Sequence, residues 1–196
     1  TERLRTLTAG AQYDRLNQQL NPHFLFNNLN VLSSLIHQDV GKADQFLQSL
    51  SYTYRYISKN VEQELIPLSE ELSFIRNYIR LLEIRFENAL HFQMEIDDES
   101  LDDYLPPACL QLLVENVVKH NYSSVAKPLT VQIKAAGGYL SIKNEKNLKL
   151  DHVDSLGLGL SNISKRYQFL ELSIEKIEET DFFEIRLPLI KVKWSW

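Results

Sequence analysis

The sequence predicts an α+β protein in which a helical front half precedes a strand-bearing back half. The first observation is a change of period. Apolar residues recur every three or four positions over residues 1–88 and alternate every second position in several runs over 90–190. The second is punctuation. Gly41 separates two helical runs, and Gly137-Gly138 separates two alternating runs as a hairpin turn does. The third is size: 196 residues, 44% hydrophobic and 24% charged, suffice for a substantial core in one large domain or two small ones.

Composition excludes several function classes. The 21 basic and 26 acidic residues leave a net charge of −5, against a general nucleic-acid binder. One cysteine, Cys109, precludes an internal disulfide and a cysteine metal cluster, in keeping with intracellular chemistry. No GxxxxGK[ST] string is present, so phosphate chemistry must do without a Walker loop. No apolar run reaches the length that spans a bilayer, and no signal peptide is visible. The chain starts at Thr1 inside a helical pattern, so the sequence reads as a piece of something longer.

The elements follow in order. Leu25, Leu29, Leu32 and Ile36 mark one face of a first helix, and Phe46, Leu50, Tyr54 and Ile57 one face of a second, with Gly41 as the break between them. Leu72, Ile75, Ile79 and Leu82 mark a connecting helix that starts near Ser69. Strands are expected around Phe92–Ile96, Leu129–Ile133, Leu140–Ile142 and Phe183–Leu189, in a sheet that leans antiparallel. Helices are expected over 107–121, behind Pro106-Pro107, and over 159–171. The predicted organisation is a helical hairpin over 1–62, a connector over 63–89 and an α/β domain over 90–196.

The first helix carries an oddity. Pro22 lies inside a helical pattern, where proline removes a backbone hydrogen bond and kinks the helix at a cost of about 3 kcal/mol. His23, Asn27, Asn30, Ser34 and His37 form a polar stripe, which predicts a solvent-facing His23 beside the kink. Periodicity leaves two readings open: a surface histidine, or an exposed imidazole acting as nucleophile or proton carrier.

The literal string separates them. Residues 19–30, QLNPHFLFNNLN, closely resemble the phospho-acceptor box of the LytS-like family of sensor histidine kinases, and the NPHFLFN core is specific. The resemblance implies that His23 accepts the γ-phosphoryl group of ATP. It also implies an antiparallel two-helix hairpin that pairs with a second copy into a four-helix dimerisation bundle.

A nucleotide site should then follow. Residues 111–121, QLLVENVVKHN, resemble the N box of GHKL ATPases. Asn116 and Lys119 stand three apart on one helix face. An amide oxygen suits Mg²⁺, a hard cation, and a lysine counters phosphate charge. The resemblance makes Asn116 the Mg²⁺ ligand and brings Lys119, His120 and Asn121 toward the phosphates. Glu115 either polarises the attacking group or is an ordinary helix carboxylate. Phe24 follows His23 where other histidine kinases carry an acid, so the base is unassigned, with Glu115 and Asn27 as candidates.

Residues 155–167, SLGLGLSNISKRY, resemble the second glycine box of GHKL proteins, which implies nucleotide contacts at Gly157, Gly159, Leu160 and Asn162. A helix N-terminus favours anions, and glycine lets phosphate oxygens approach the backbone. Lys165 and Arg166 either serve the box or decorate the helix. Between the two boxes the family carries Asp-x-Gly, whose aspartate accepts a hydrogen bond from the adenine amino group. Here Asn144 takes the aspartate position and Lys146 the glycine position. Asn144 keeps an acceptor oxygen without the charge that strengthens the bond, and loss of the glycine is expected to tighten or reshape the pocket wall. The polar stretch between Asn147 and Leu156 reads as a lid.

The connector motif LSEEL, with Tyr78-Ile79 and EIRF, resembles the family's segment between hairpin and ATPase domain and either transmits motion or packs. Together the resemblances cover residues 12–190 and imply a GHKL-type α/β sandwich behind the hairpin. They imply the cytoplasmic portion of a bacterial inner-membrane sensor histidine kinase, using ATP and Mg²⁺, homodimeric, and passing its phosphoryl group to a response-regulator receiver domain. Nucleic acid is no partner, and membrane contact runs only through segments outside this sequence. The alternative is a degenerate kinase acting as a dimeric scaffold that docks a regulator.

Overall fold

The computed structural model describes residues 22–60, 62–147 and 158–192. The chain divides into two compact units, Thr1–Glu62 and Gln63–Trp196. No helix among the described residues is long and apolar enough to cross a membrane.

The first unit packs α1 (Pro22–Gln38) against α2 (Val40–Asn60). The break falls at Asp39, two residues before the expected Gly41. Asp39 closes one helix and opens the next. Its N–H donates to Leu35 O at 2.8 Å, its carbonyl accepts from Ala43 N at 2.9 Å, and its Oδ1 accepts from Lys42 N at 3.0 Å. A carboxylate at the N-cap satisfies an orphan donor and meets the positive end of the helix dipole. Gly41 simply sits in the first turn of α2. The α2 stripe is covered by Phe46 and Leu50, both buried, with Tyr54 and Ile57 half-buried. The α1 stripe departs from expectation: Leu29 and Ile36 are exposed, as is Phe26 beside them. The apolar face of α1 is therefore not consumed by its own hairpin. The expected kink at Pro22 depends on residues before 22, which lie outside the described ones.

The second unit opens with β1 (Ile66–Pro67) and α3 (Leu68–Phe86). The helix starts at Leu68, not Ser69, with Pro67 as an N-cap that offers no side-chain bond. Backbone replaces the missing cap. The N–H groups of Leu68 and Ser69 donate to Asp103 O and Leu101 O at 2.7 and 3.0 Å. The predicted stripe of Leu72, Ile75, Ile79 and Leu82 is buried throughout.

Five strands form one sheet: β2 (Leu90–Ile96), β4 (Leu129–Ala136), β5 (Tyr139–Glu145), β7 (Phe182–Pro188) and β6 (Glu175–Glu178), in that spatial order. A short β3 (Tyr104–Leu105) pairs with β1 apart from this sheet. β2 and β4 run parallel, and every other neighbouring pair is antiparallel. A parallel pair needs a crossover, and the stretch between β2 and β4 supplies it with α4 (Cys109–His120). The β4–β5 turn is Gly137-Gly138 at φ 60° and 82°, the paired positive values of a two-residue hairpin loop that glycine adopts without strain. One sheet face carries Val131, Ile133, Leu140, Ile142, Ile185 and Leu187 in register, all buried. α3 packs on β2, α4 on β5, and α4 against α5 (Leu158–Phe169). The sequence reading missed β6, whose EKIE string is largely exposed at the sheet edge and carries charges that discourage further pairing.

Candidate functional site

The site is built where α4, the end of β5 and the start of α5 meet. Asn116, in the middle of α4, faces Gly159, in the first turn of α5, although 43 residues separate them in sequence. A Cβ placed on Gly159 would lie 3.2 Å from Asn116 Nδ2 and 3.3 Å from its Oδ1. Glycine is thus what lets the amide rest on the helix backbone. The result sets a neutral oxygen ligand beside a helix N-terminus, where free N–H groups and the dipole favour an anion. A hard divalent cation with phosphate oxygens fits such a donor set.

The far end of α4 is stitched to the end of β5. Tyr122 N donates to Asn147 O at 2.6 Å, and Asn147 Nδ2 returns a bond of 2.6 Å to Tyr122 O. Asn147 N donates to Asn121 Oδ1 at 2.9 Å, while Asn121 Nδ2 donates to Val117 O at 2.8 Å. Both ends of the Asn121 amide are therefore engaged inside the fold. This stitching fixes Asn144 on the sheet face that α4 covers, between Val131 and Phe183 in register. Asn144 is buried, and its Nδ2 donates to Glu145 O at 2.8 Å. A carbonyl can only accept, so the bond fixes the amide nitrogen there and leaves Oδ1 as the acceptor side.

The family model for histidine kinase matches residues 11–90. A sensor protein LytS of Bacillus cereus is 35% identical over 156 residues, 77% of this chain and 26% of that protein. Sensor histidine kinase BtsS of Escherichia coli is 32% identical over 171 residues, 84% of this chain and 30% of that protein. The sequence matches the LytS- and BtsS-type sensor histidine kinase family. The chain spans about a quarter to a third of the length of these curated relatives. Among solved structures, the histidine kinase domain from Erythrobacter litoralis EL346 blue-light activated histidine kinase aligns at 18% identity and a TM-score of 0.43. That alignment covers 91% of this chain and 94% of that one.

Against this sensor histidine kinase background, the other expected residues take definite places. Lys119 and Asn162 are exposed, and His120 and Leu160 are half-buried. Asn27 is half-buried on α1, one helical turn beyond His23. The His23 side chain and Gly157 lie outside the described residues. Glu115 is held on one oxygen: Tyr78 OH and Gln111 Nε2 both donate to Oε1, at 3.1 and 2.9 Å. Burial raises the Glu115 pKa, opposed by these bonds and by the charge of Lys119. Burial also lifts the Tyr78 hydroxyl well above its ordinary value, so it is a donor throughout the physiological range.

Lys146 turns its side chain toward the sheet edge. Its Nζ pairs with Glu178 Oε1 at 3.0 Å, on the edge strand β6. Its backbone has none of the positive φ that would call for glycine. One further residue, Glu71, has no site role assigned from sequence. Glu71 is fully buried and accepts Ala108 N and Leu110 N at the front of α4. Arg166 donates to Pro107 O at 2.7 Å, which answers whether it merely decorates α5. A signal for Glu71 existed: it is the carboxylate inside the apolar stripe of Leu68, Leu72 and Ile75.

Proposed function

We propose that the chain is the catalytic core of a two-component sensor histidine kinase. In this reading His23 is phosphorylated from ATP and the group then passes to an aspartate on a response-regulator receiver domain. The observation that carries the reading is the meeting of Asn116 and Gly159, from two boxes distant in sequence, in a chain whose first helix bears the NPHFLFN string.

Asn116 would hold Mg²⁺, which binds through few protein ligands and keeps phosphate oxygens and water for the rest; bound there, it neutralises phosphate charge. The N–H groups at the start of α5 would take phosphate oxygens, and Asn144 Oδ1 would accept from the adenine amino group. A nitrogen of the His23 imidazole attacks the γ-phosphorus. The N–P bond forms as the bond to the bridging oxygen breaks, releasing ADP. Glu115 is a carboxylate able to take the imidazole proton, and Asn27 offers an amide oxygen able to orient the ring. The domains would divide the work: 1–62 for dimerisation and phosphotransfer, 63–89 as connector, 90–196 for nucleotide binding.

The exposed Phe26, Leu29, Ile36 and Leu47 support a second copy as the cover for the hairpin, since large apolar side chains on helical faces mark interaction surfaces. A membrane-anchored sensor continuing beyond this sequence fits the share of the relatives that the chain spans. The pairing of Lys146 with Glu178 speaks against the degenerate-scaffold alternative, because the departure at that position leads away to the sheet edge.

The test is incubation with γ-labelled ATP and Mg²⁺ beside His23→Gln and Asn116→Ala. The expected result is an acid-labile label on the wild type, absent from both variants, with nucleotide binding retained in His23→Gln. An unlabelled wild type that binds nucleotide overturns the kinase reading in favour of the scaffold.

A further inference from the structure

The front of α4 is built in an unusual way. Ala108, its N-cap, has φ 61° and ψ 16°, the left-handed conformation that a residue with a Cβ adopts only at a cost. What the conformation achieves is convergence. With Ala108 left-handed and the helix following, the N–H groups of Ala108 and Leu110 point at one spot, a concavity that suits an anion. The anion is the Glu71 carboxylate: Oε2 accepts Ala108 N at 2.9 Å and Oε1 accepts Leu110 N at 2.8 Å. Glu71 is 0% exposed. Burying a carboxylate is costly unless its oxygens are satisfied, so packing alone gives α3 no reason to carry one here.

The opposite edge of the same peptide group is also taken. Pro107 C=O and Ala108 N–H belong to one peptide plane. The carbonyl accepts from Arg166 Nη1 at 2.7 Å while the N–H donates to Glu71. One backbone peptide therefore joins three helices: α3 through Glu71, α4 as its own start, and α5 through Arg166. Such chains of charge-assisted bonds polarise one another in a low-dielectric interior. Arg166 stands seven residues after Gly159, two turns further along the same side of α5. α4 is thus pinned in front by Glu71 and Arg166 and behind by the Asn121–Asn147 stitching, with Asn116 between.

We propose that Glu71 and Arg166 are positioning residues for nucleotide binding: by gripping the two edges of the Pro107–Ala108 peptide they register α3 and α5 on α4, and so set the approach of Asn116 to Gly159. The inference rests on the reading of Asn116 and Gly159 as the nucleotide site. It gives the connector helix a physical handle on that site, because a shift of α3 drags the front of α4 through the buried carboxylate.

The test uses the 196-residue chain, a fluorescent ATP analogue with Mg²⁺, and titrations well below each variant's thermal midpoint. Arg166→Met removes the donor at similar length and should weaken binding about tenfold, the scale of one lost charge-assisted bond. Arg166→Lys keeps a donor and should recover most of that loss. Glu71→Gln leaves one acceptor for two N–H donors and should act in the same direction; where it fails to fold, the Arg166 pair carries the test. The decisive measurement is a double-mutant cycle with Gly159→Ala. If the clamp works through the Asn116–Gly159 approach, Arg166→Met costs less than about threefold in that background. Losses that multiply fully, or wild-type affinity in a folded Arg166→Met of lowered midpoint, overturn the proposal. Asn116→Ala runs alongside: wild-type affinity there sinks the site reading itself, whereas lost affinity there with a failed cycle sinks only the clamp.

Discussion

Gly159→Ala separates function from stability in one substitution. Gly159 lies in a helical turn, so an alanine backbone fits without strain and helix propensity gains roughly 0.5–1 kcal/mol. The added Cβ would stand 3.2 Å from Asn116 Nδ2, 3.3 Å from Oδ1 and 3.6 Å from Cγ. The first two distances are a few tenths of an ångström too short, so the amide must turn or withdraw. An off-rotamer side chain costs about 0.5–1.5 kcal/mol. If Asn116 must return to its original place to bind magnesium-nucleotide, that penalty appears in affinity, as roughly a 2- to 12-fold loss. The thermal midpoint should hold or rise by up to about 2–4 °C. Titration with a fluorescent ATP analogue and Mg²⁺ measures the first quantity, and scanning calorimetry without nucleotide the second. Full affinity with a raised midpoint would show that Asn116 and Gly159 do not share a ligand. A loss of affinity tracking a loss of midpoint would show that the glycine matters only for packing.

Three other outcomes are expected. Asp39→Ala removes the side-chain bond to Lys42 N and the charge at the α2 dipole, which should cost about 0.5–2 kcal/mol in chemical denaturation; Asp39→Asn, which retains a capping oxygen, should recover most of it. Cys109 is buried and its thiol is pushed far up by burial, so a thiol reagent at pH 8 should leave it unmodified in the native chain and modify it fully in denaturant. Rapid native labelling would mean that the front of α4 opens. Asn144→Asp, which restores the family residue, should destabilise the nucleotide-free chain by about 1–3 kcal/mol, because the bond to Glu145 O is lost and a buried carboxylate faces a carbonyl. Equal stability of the two forms would mean that the Asn144 amide bond contributes nothing.

Much of the fold was legible because periodicity reports burial. The stripe on α3 and the alternation of β4, β5 and β7 each reflect a face that the fold buries, and Gly137-Gly138 announces a turn by its backbone needs. Errors arose where the deciding atoms come from elsewhere in the chain. The start of α3 is set by the carbonyls of Leu101 and Asp103, more than thirty residues away, so no local capping pattern marks it. The hairpin break was misplaced because Gly41 is the louder local signal, while Asp39, an ordinary acidic residue by sequence, makes the cap. The α1 stripe illustrates a different limit: periodicity identifies an apolar face without saying what covers it. At the site, the literal boxes pointed to Asn116 and Gly159 separately, but their contact is tertiary. Glu71 was overlooked because the pair Glu70-Glu71 reads as surface charge unless the stripe through Leu68 and Leu72 is followed across it.

The same distinction decides what the departure at Asn144 and Lys146 means. By sequence, a lysine in place of glycine suggests a tightened or reshaped pocket wall. The structure gives the lysine a partner at the sheet edge. Lys146 has no positive φ, so no glycine is required. Its backbone N–H donates to Asp181 O at 2.8 Å, which seats it beside the turn into β7 and sends its side chain along the edge strand. There Glu178 accepts from Lys176 and Lys146 and is held below the usual carboxylate range, by the Lys176 bond first and the Lys146 bond second. The partner that takes up the lysine sits on β6, a strand that the sequence pattern did not reveal. The side chain of Lys146 could not be placed from sequence because the strand that pairs with it was invisible there. Asn144, for its part, retains the acceptor oxygen of the residue it replaces and gives up only the charge.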